Sequence, residues 1–253
     1  MSWTPADITT ALWLDAADST TITESSGVVS DWADKSGNGL DVTQATSAFR
    51  PTLSTFNDRG ALLFGDTLFL ANTSDGITSG TYTGELTVFA VVTITDSIGG
   101  TLLTERADSL VATTMWYEPT GGLDDAFLSS DGANGASNNR MTVAVFQEIT
   151  SAGAILTHQH ESGARDNLWI DGVSKTVTAG TASDITGSAG FRIGEREAAL
   201  ESLQPGWPGL VCEIVVITDA LTTETRELVE GYLYDKWFVP RNRRNRRSLG
   251  LRR

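Results

Sequence analysis

The 253-residue sequence contains one cysteine, Cys212, so no intrachain disulfide can form and packing and hydrogen bonding must hold the fold. Cys212 lies in the apolar run GLVCEIVVI, the setting of a buried, inert thiol. Histidine is almost as scarce, with only His158 and His160 in THQHES. No apolar run approaches the roughly 18 residues that a membrane-crossing helix requires. The opening MSWTPADITTALWLD lacks the basic start and apolar stretch of a secretory signal. The expectation is therefore a chain made and folded in a reducing cytoplasm, without a membrane partner. Basic residues are few and unevenly placed: 18 Lys and Arg face 32 Asp and Glu, for a formal net charge of −14. Seven of those 18 fall in the last 13 residues, RNRRNRRSLGLRR, leaving 11 basic residues against all 32 acids in the rest. So acidic a body repels nucleic acid and anionic membranes.

What is abundant is short β-type runs separated by Gly, Asn, Asp and Ser. ALWLD (11–15), ALLFG (61–65), LTVFAVVTIT (86–95), MTVAVFQEI (141–149), NLWIDGV (167–173), GFRIG (190–194) and LVCEIVVI (210–217) read as strands. SGNG, SIGG, TGG, DGANGASNN and IDGV read as turns. Their spacing is that of an antiparallel sandwich or barrel. One segment differs. In TTETRELVEGYLYDKWF (222–238), Leu228, Val229, Tyr232, Leu233 and Trp237 recur at helical spacing. Thr222 suits the N-cap, Glu224 suits the first turn, and Pro240 stops the helix. The fold class expected is all-β: a two-sheet antiparallel jelly-roll sandwich (1–239) with one C-terminal amphipathic helix, followed by an Arg-rich tail (240–253).

Candidate chemistry is sparse. His158 and His160 sit two apart, so they share one strand face at metal-ligand spacing; side chains on an outward sheet face are the simpler reading. DKSGNG (34–39) matches the first half of a calcium loop through Asp34 and Asn38, but its twelfth position is Ala45, so the bidentate acid is missing. A tight turn explains the same residues, with Gly37 and Gly39 at positive φ and Asp34 and Asn38 bonding local backbone. Calcium is thus a weak cofactor candidate and the only one. Trp13, Trp32, Trp169 and Trp237 fall inside apolar patterns and read as core, while Trp3 has the position of a lid. Trp116 and Tyr117 in MWYEPTGG and Trp207 in QPGWPG border turns, which makes them candidates for an exposed aromatic platform against a glycan. DGANGASNN (131–139) reads as a polar rim loop.

LWLDAADSTTITESSGVVSDWADKSGNGLDVTQ, followed in order by RGALLFGDTLFL, LTVFAVVTI, NLWIDGV, GFRIGE and GWPGLVCEIVVITDALTTETRELVEGYLYDKW, resembles the laminin-G-like modules of the concanavalin A-like lectin/glucanase superfamily. The subtype it resembles is common in bacterial and phage proteins. The resemblance spans residues 8–238 and implies a jelly roll of two antiparallel sheets. It also implies a test for catalysis, because hydrolases of that superfamily carry Glu-x-Asp-x-(x)-Glu on one strand. A retaining pair needs its carboxylates about 5–5.5 Å apart. The pattern is absent. EREAALE (195–201) has the acids in another order, and Asp124 and Asp125 are adjacent and so point to opposite faces. No Ser/Cys–His–acid arrangement, P-loop or dinucleotide fingerprint is readable.

The tail admits three readings: a nucleic-acid arm, a nuclear signal, or a docking arm. The acidic body and the lack of interleaved aromatics disfavour the first. As a docking arm, Arg241, Arg243, Arg244, Arg246, Arg247, Arg252 and Arg253 pair with carboxylates on an acidic partner or a sister copy. Together with the resemblance, this gives the functional expectation. The chain is a non-catalytic structural or adhesion module, a phage virion component (capsid decoration, fibre or tail-associated) that is held by its Arg-rich end and touches host glycans. The alternative is a stand-alone carbohydrate-binding, lectin-like module; a glycoside hydrolase ranks below both.

Overall fold

The computed structural model describes residues 3–77, 85–95, 100–107, 110–120, 124–130, 138–140, 149, 151–161, 167–176, 190–194 and 206–240, and between 105 and 140 only the backbone course. The strand read at 141–149 thus lies outside the described residues but for Ile149, and the Arg-rich tail lies outside them from residue 241.

The described residues form two antiparallel sheets. The strands are β1 (Leu12–Asp15), β2 (Ile22–Ser25), β3 (Val28–Trp32), β4 (Val42–Thr43), β5 (Thr52–Phe56), β6 (Arg59–Leu63), β7 (Leu70–Asn72), β8 (Leu86–Val92) and β9 (Gly100–Ala107). They continue with β10 (Leu110–Thr120), β11 (Asp124–Ser130), β12 (Asn138–Arg140), β13 (Ala154–His160), β14 (Asn167–Ile170), β15 (Val173–Lys175), β16 (Gly190–Ile193) and β17 (Leu210–Ile217). A single long helix, α1 (Thr223–Trp237), follows. The central sheet runs β17–β8–β13–β14–β15, and the far edge of β17 is shared by β6 and β1. The second sheet runs β2–β3–β4–β7–β16–β9–β10–β11–β12. The β5–β6 hairpin joins the two along one side. This is the jelly-roll-like sandwich with a C-terminal helix that the strand pattern predicts.

The central sheet is covered on both faces, so its strands are apolar at nearly every position instead of alternating. Val88, Ala90 and Val92 of β8, with Ile214 and Val216 of β17, face the second sheet and join Leu12, Leu14, Trp32, Phe191 and Ile193 in the main core. Phe89, Val91, Val215 and Ile217 face the other way, onto Val229, Leu233 and Trp237 of α1. The helix begins where expected, with Thr222 Oγ1 accepting from Thr225 N at 3.3 Å. Its other end is closed by a distant hairpin turn. Asn57 and Asp58 take positive φ values of 48° and 61°, the conformation a two-residue hairpin turn demands. Asn57 Nδ2 then donates to Trp237 O at 2.8 Å, and Arg59 Nε donates to Lys236 O. Two helix-end carbonyls are thereby satisfied, and a cation sits at the negative end of the dipole.

Three sequence expectations are corrected by packing. Leu228, assigned to the buried stripe of the helix, is 49% exposed. Trp169, read as core, is only half-buried and lies against α1, with the Arg226 guanidinium 4.5 Å from its ring centroid. Trp207, read as an exposed platform, is fully buried, and its Nε1 donates to Thr93 O at 3.1 Å. The flanking glycines explain that burial. A Cβ at Gly206 would collide with Gly65 O and one at Gly209 with Thr93 O, so the turn is pressed between strand ends and its indole is driven inward.

Between the central sheet and α1 lies a row of alternating charges: Asp18, Lys35, Asp15, Lys236 and Glu213. Lys35 Nζ lies 2.8 Å from Asp18 and 2.9 Å from Asp15. Lys236 Nζ lies 2.6 Å from Asp15 and 2.7 Å from Glu213. Glu213 is fully buried on the helix-facing side, where a β-bulge at Val211–Glu213 places it beside Cys212. Its carboxylate also accepts from Trp13 Nε1 at 2.7 Å, Tyr232 Oη at 3.1 Å and Trp237 Nε1 at 2.5 Å. Burial pushes the Glu213 carboxyl above the usual glutamate range, opposed by Lys236. Burial likewise pushes the Cys212 thiol up, with the Glu213 charge adding to the effect; a thiol so disposed stays protonated and unreactive. Removing one partner of a buried pair costs about 3–5 kcal/mol. We therefore expect Lys236→Met to lower Tm by roughly 6–20 °C in a domain of this size, read by differential scanning calorimetry. Asp18, at the solvent end of the row, is lowered to about 2 by its hydrogen bonds to Lys35 and Thr20. Its contribution is therefore complete above the ordinary value of 3.8 and disappears as pH falls toward about 2. Urea midpoints of wild type and Asp18→Asn should differ at pH 5 and converge near pH 2.

Candidate glycan-contacting face

The outer face of the second sheet carries a surface that joins exposed aromatic area to aligned polar groups. Pairing registers place Thr23, Asp31, Thr43, Ala71, Arg192 and Thr104 side by side across β2, β3, β4, β7, β16 and β9. Their strand neighbours Val42, Leu70, Phe191 and Ile193 are in the core, so alternation turns this row outward. Thr23 and Thr43 are exposed, Asp31 and Arg192 are half-buried, and Thr104 at the far end is buried.

Above the row stands a stacked ladder. The Arg192 guanidinium carbon lies 4.7 Å from the Phe69 ring centroid. Phe69 in turn stacks on Phe49, with centroids 6.2 Å apart and planes at 27°. Phe49 is 42% exposed, yet its position is fixed. Phe69 N donates to Phe49 O at 2.9 Å, and Arg50 closes the loop behind it by donating to Gln44 O at 2.6 Å and Ala45 O at 2.9 Å. A large ring held in water by backbone bonds is a prepared contact surface, since burying it would gain free energy roughly in proportion to its area. An aromatic face accepts the C–H side of a sugar ring, while hydroxyls, a carboxylate and a guanidinium beside it meet the sugar's hydroxyl groups.

None of Phe49, Phe69 or Arg192 was singled out by sequence reasoning. The available signal was Arg192 between two core residues in GFRIG, because a charged residue within strand alternation marks the outward face. The residues that were singled out fall elsewhere. Trp116 and Tyr117 lie on β10, opposite Thr101 and Gly100 in the ladder with β9, and their side chains lie outside the described residues. So do EREAALE, the first seven residues of DGANGASNN, the side chains of Asp124 and Asp125, and the tail arginines.

Asp34 and Asn38 form a turn. Asp34 accepts from Trp13 N, Ser36 N, Ser36 Oγ and Leu40 N at 2.6–3.2 Å. Asn38 Nδ2 donates to Thr10 O at 3.0 Å and Ala11 O at 2.9 Å, and Gly37 and Gly39 take φ of 92° and 74°. Both Asp34 oxygens thus serve protein donors and tie the turn to β1. His158 and His160 do not lie on an outward face. They are buried, with the strand parity of Ala154 and Leu156 in the main core, while Thr157, of the opposite parity, bonds Glu230 of α1 at 2.8 Å. Among the described residues no three His, Cys, Asp or Glu side chains converge as metal ligands. Trp3, the expected lid, meets Tyr232 edge to face at 6.0 Å.

No family model matches the chain, and no curated protein matches it either. Solved structures do. Domain 4 of AbnA, a GH43 extracellular arabinanase from Geobacillus stearothermophilus solved with arabinotriose, aligns with TM-score 0.59 and 18% identity over 87% of this chain and 97% of that domain. The receptor-binding domain of botulinum neurotoxin D aligns with TM-score 0.63 and 12% identity, covering 90% of this chain and 54% of that one. Trypanosoma rangeli sialidase aligns with TM-score 0.57 and 13% identity, covering 89% and 33%. The chain thus spans about half of the toxin domain and a third of the sialidase, but nearly all of the arabinanase domain. At these identities the likeness is one of fold: an antiparallel β-sandwich that stands as one unit within larger proteins.

Proposed function

We propose that this chain is a non-catalytic carbohydrate-binding β-sandwich module whose Phe49–Phe69–Arg192 face lies against the glycan. The observation that carries the reading is the 42% exposure of Phe49 on a turn fixed by backbone bonds and stacked in line with Phe69 and Arg192. The fold likeness supports it, since the arabinanase domain was solved with arabinotriose and a related neurotoxin type C structure concerns two ganglioside molecules. The sequence supports the non-catalytic part by lacking a paired-carboxylate strand motif. A finer reading adds the cationic end. With seven Arg in 13 residues on an otherwise acidic chain, that end tethers the module to an acidic particle surface, as in a phage virion whose outward sandwich meets host glycans.

A glycan array probed with the full chain, followed by calorimetry on the best ligand, tests the main reading. Phe49→Ala removes a solvent-facing ring and leaves the core intact. It should weaken binding by roughly five- to tenfold, the worth of one aromatic contact, and release of product from the bound polysaccharide should be undetectable. An array at background, or equal affinity for wild type and Phe49→Ala, would remove the reading. The tether predicts that a chain lacking 241–253 keeps glycan affinity and fails to join particles; incorporation at wild-type levels refutes that part alone.

A further inference from the structure

The outward face of α1 holds a feature that the fold itself does not use. Leu228, Gly231 and Tyr234 follow one another at three-residue steps, with Leu228 49% and Tyr234 54% exposed. Glycine is disfavoured in a helix interior, yet a Cβ at Gly231 would meet nothing within 4 Å. No packing within the described fold asks for it. Its effect is a notch between two exposed apolar side chains. Beside the notch Tyr234 lies nearly flat on Phe238, with centroids 5.8 Å apart and planes at 19°, which offers one ring face to a ligand. Glu224, Glu227 and Asp235 are exposed on the same side of the helix. Two rows therefore cross at Gly231: an apolar one through Leu228 and Tyr234, and an anionic one through Glu227 and Asp235.

We propose that this face is the docking site of the chain's own Arg-rich end, residues 241–253. Charge decides against a sister α1, because two such faces would bring like carboxylates together. The end supplies the complement: seven arginines for the carboxylates and the Tyr234 ring face, and Leu249 and Leu251 for the notch. Reach is ample. Thirteen residues span up to about 43 Å when extended, whereas the 15-residue helix from whose end they depart is only about 22 Å long. The tether favours this chain over a sister copy, since a short flexible link places the end at an effective concentration of order millimolar. The inference does not depend on the glycan-binding reading, which concerns the outer face of the second sheet; it competes with the particle tether for the same arginines, so a tail bound to α1 must be released before it can hold a particle.

Trypsin added to the folded, full-length chain reads the docked fraction, because the tail arginines are cut only while free. Loss of residues 241–253, followed by mass spectrometry, should be slower in wild type than in Glu224→Gln/Glu227→Gln/Asp235→Asn by about tenfold. Gly231→Lys fills the notch with a cation and favours the helix, so it should release the tail without unfolding the domain. Protection should vanish near roughly 0.5 M salt and be the same at micromolar and submillimolar protein. Equal cleavage of wild type and both variants would overturn the proposal. So would protection that grows with protein concentration, which would assign the face to another copy's tail.

Discussion

A fully buried carboxylate that accepts four donors organises the contact between sheet and helix. Glu213 takes bonds from Trp13 on β1 and from Tyr232, Lys236 and Trp237 on α1, so one side chain fixes the positions of three elements. The net contribution of such an ion cluster to stability is small, because desolvation offsets attraction. Its effect is on specificity. An apolar residue at position 213 would let α1 slide over Phe89, Val91 and Val215, whereas Glu213 leaves four donors unsatisfied in any other register. Lys236 extends the constraint to Asp15, and Lys35 carries it to the Asp34–Asn38 turn through the same carboxylate.

Covering both faces of the central sheet has a second effect, on the distribution of function. That sheet can offer no broad surface to a ligand, so the surfaces available for contact are the outer faces of the other two layers. The second sheet presents Phe49, Phe69 and Arg192; α1 presents Leu228, Gly231 and Tyr234. The two surfaces lie on opposite sides of the sandwich. A contact on one of these faces therefore leaves the other sterically unhindered, so the glycan contact and the tail docking proposed above are compatible.

Much of the architecture was legible because period and punctuation are local signals. LTVFAVV and LVCEIVVI read as strands from their dense apolar and β-branched residues, and Thr222 and Pro240 marked the helix limits. What was not legible depends on residues far apart in the chain. Trp207 borders a turn, as an exposed platform residue would, and only the collision of Gly206 and Gly209 with other strand ends shows why the ring points inward. His158 and His160 were equally ambiguous, since strand parity fixes that they share a face but not which face. The candidate glycan surface was missed for the same reason. Phe49, Phe69 and Arg192 are separated by 20 and 123 positions and come together only through the pairing of β4, β7 and β16.

The split edge of β17 bears on how the chain can be synthesised. β1 pairs with β17 from Leu12–Val216 to Asp15–Glu213, so this edge of β1 has no partner until β17 has left the ribosome. Until then the apolar LWL segment must wait, its hydrogen-bonding edge open, through some two hundred residues of elongation. Contacts of such long sequence separation form slowly, and an idle strand edge invites mispairing with neighbouring nascent chains. Closure of the central sheet against β1 is thus late in the order of synthesis, and the early LWL segment is the part of the chain with most to gain from shielding in the interval.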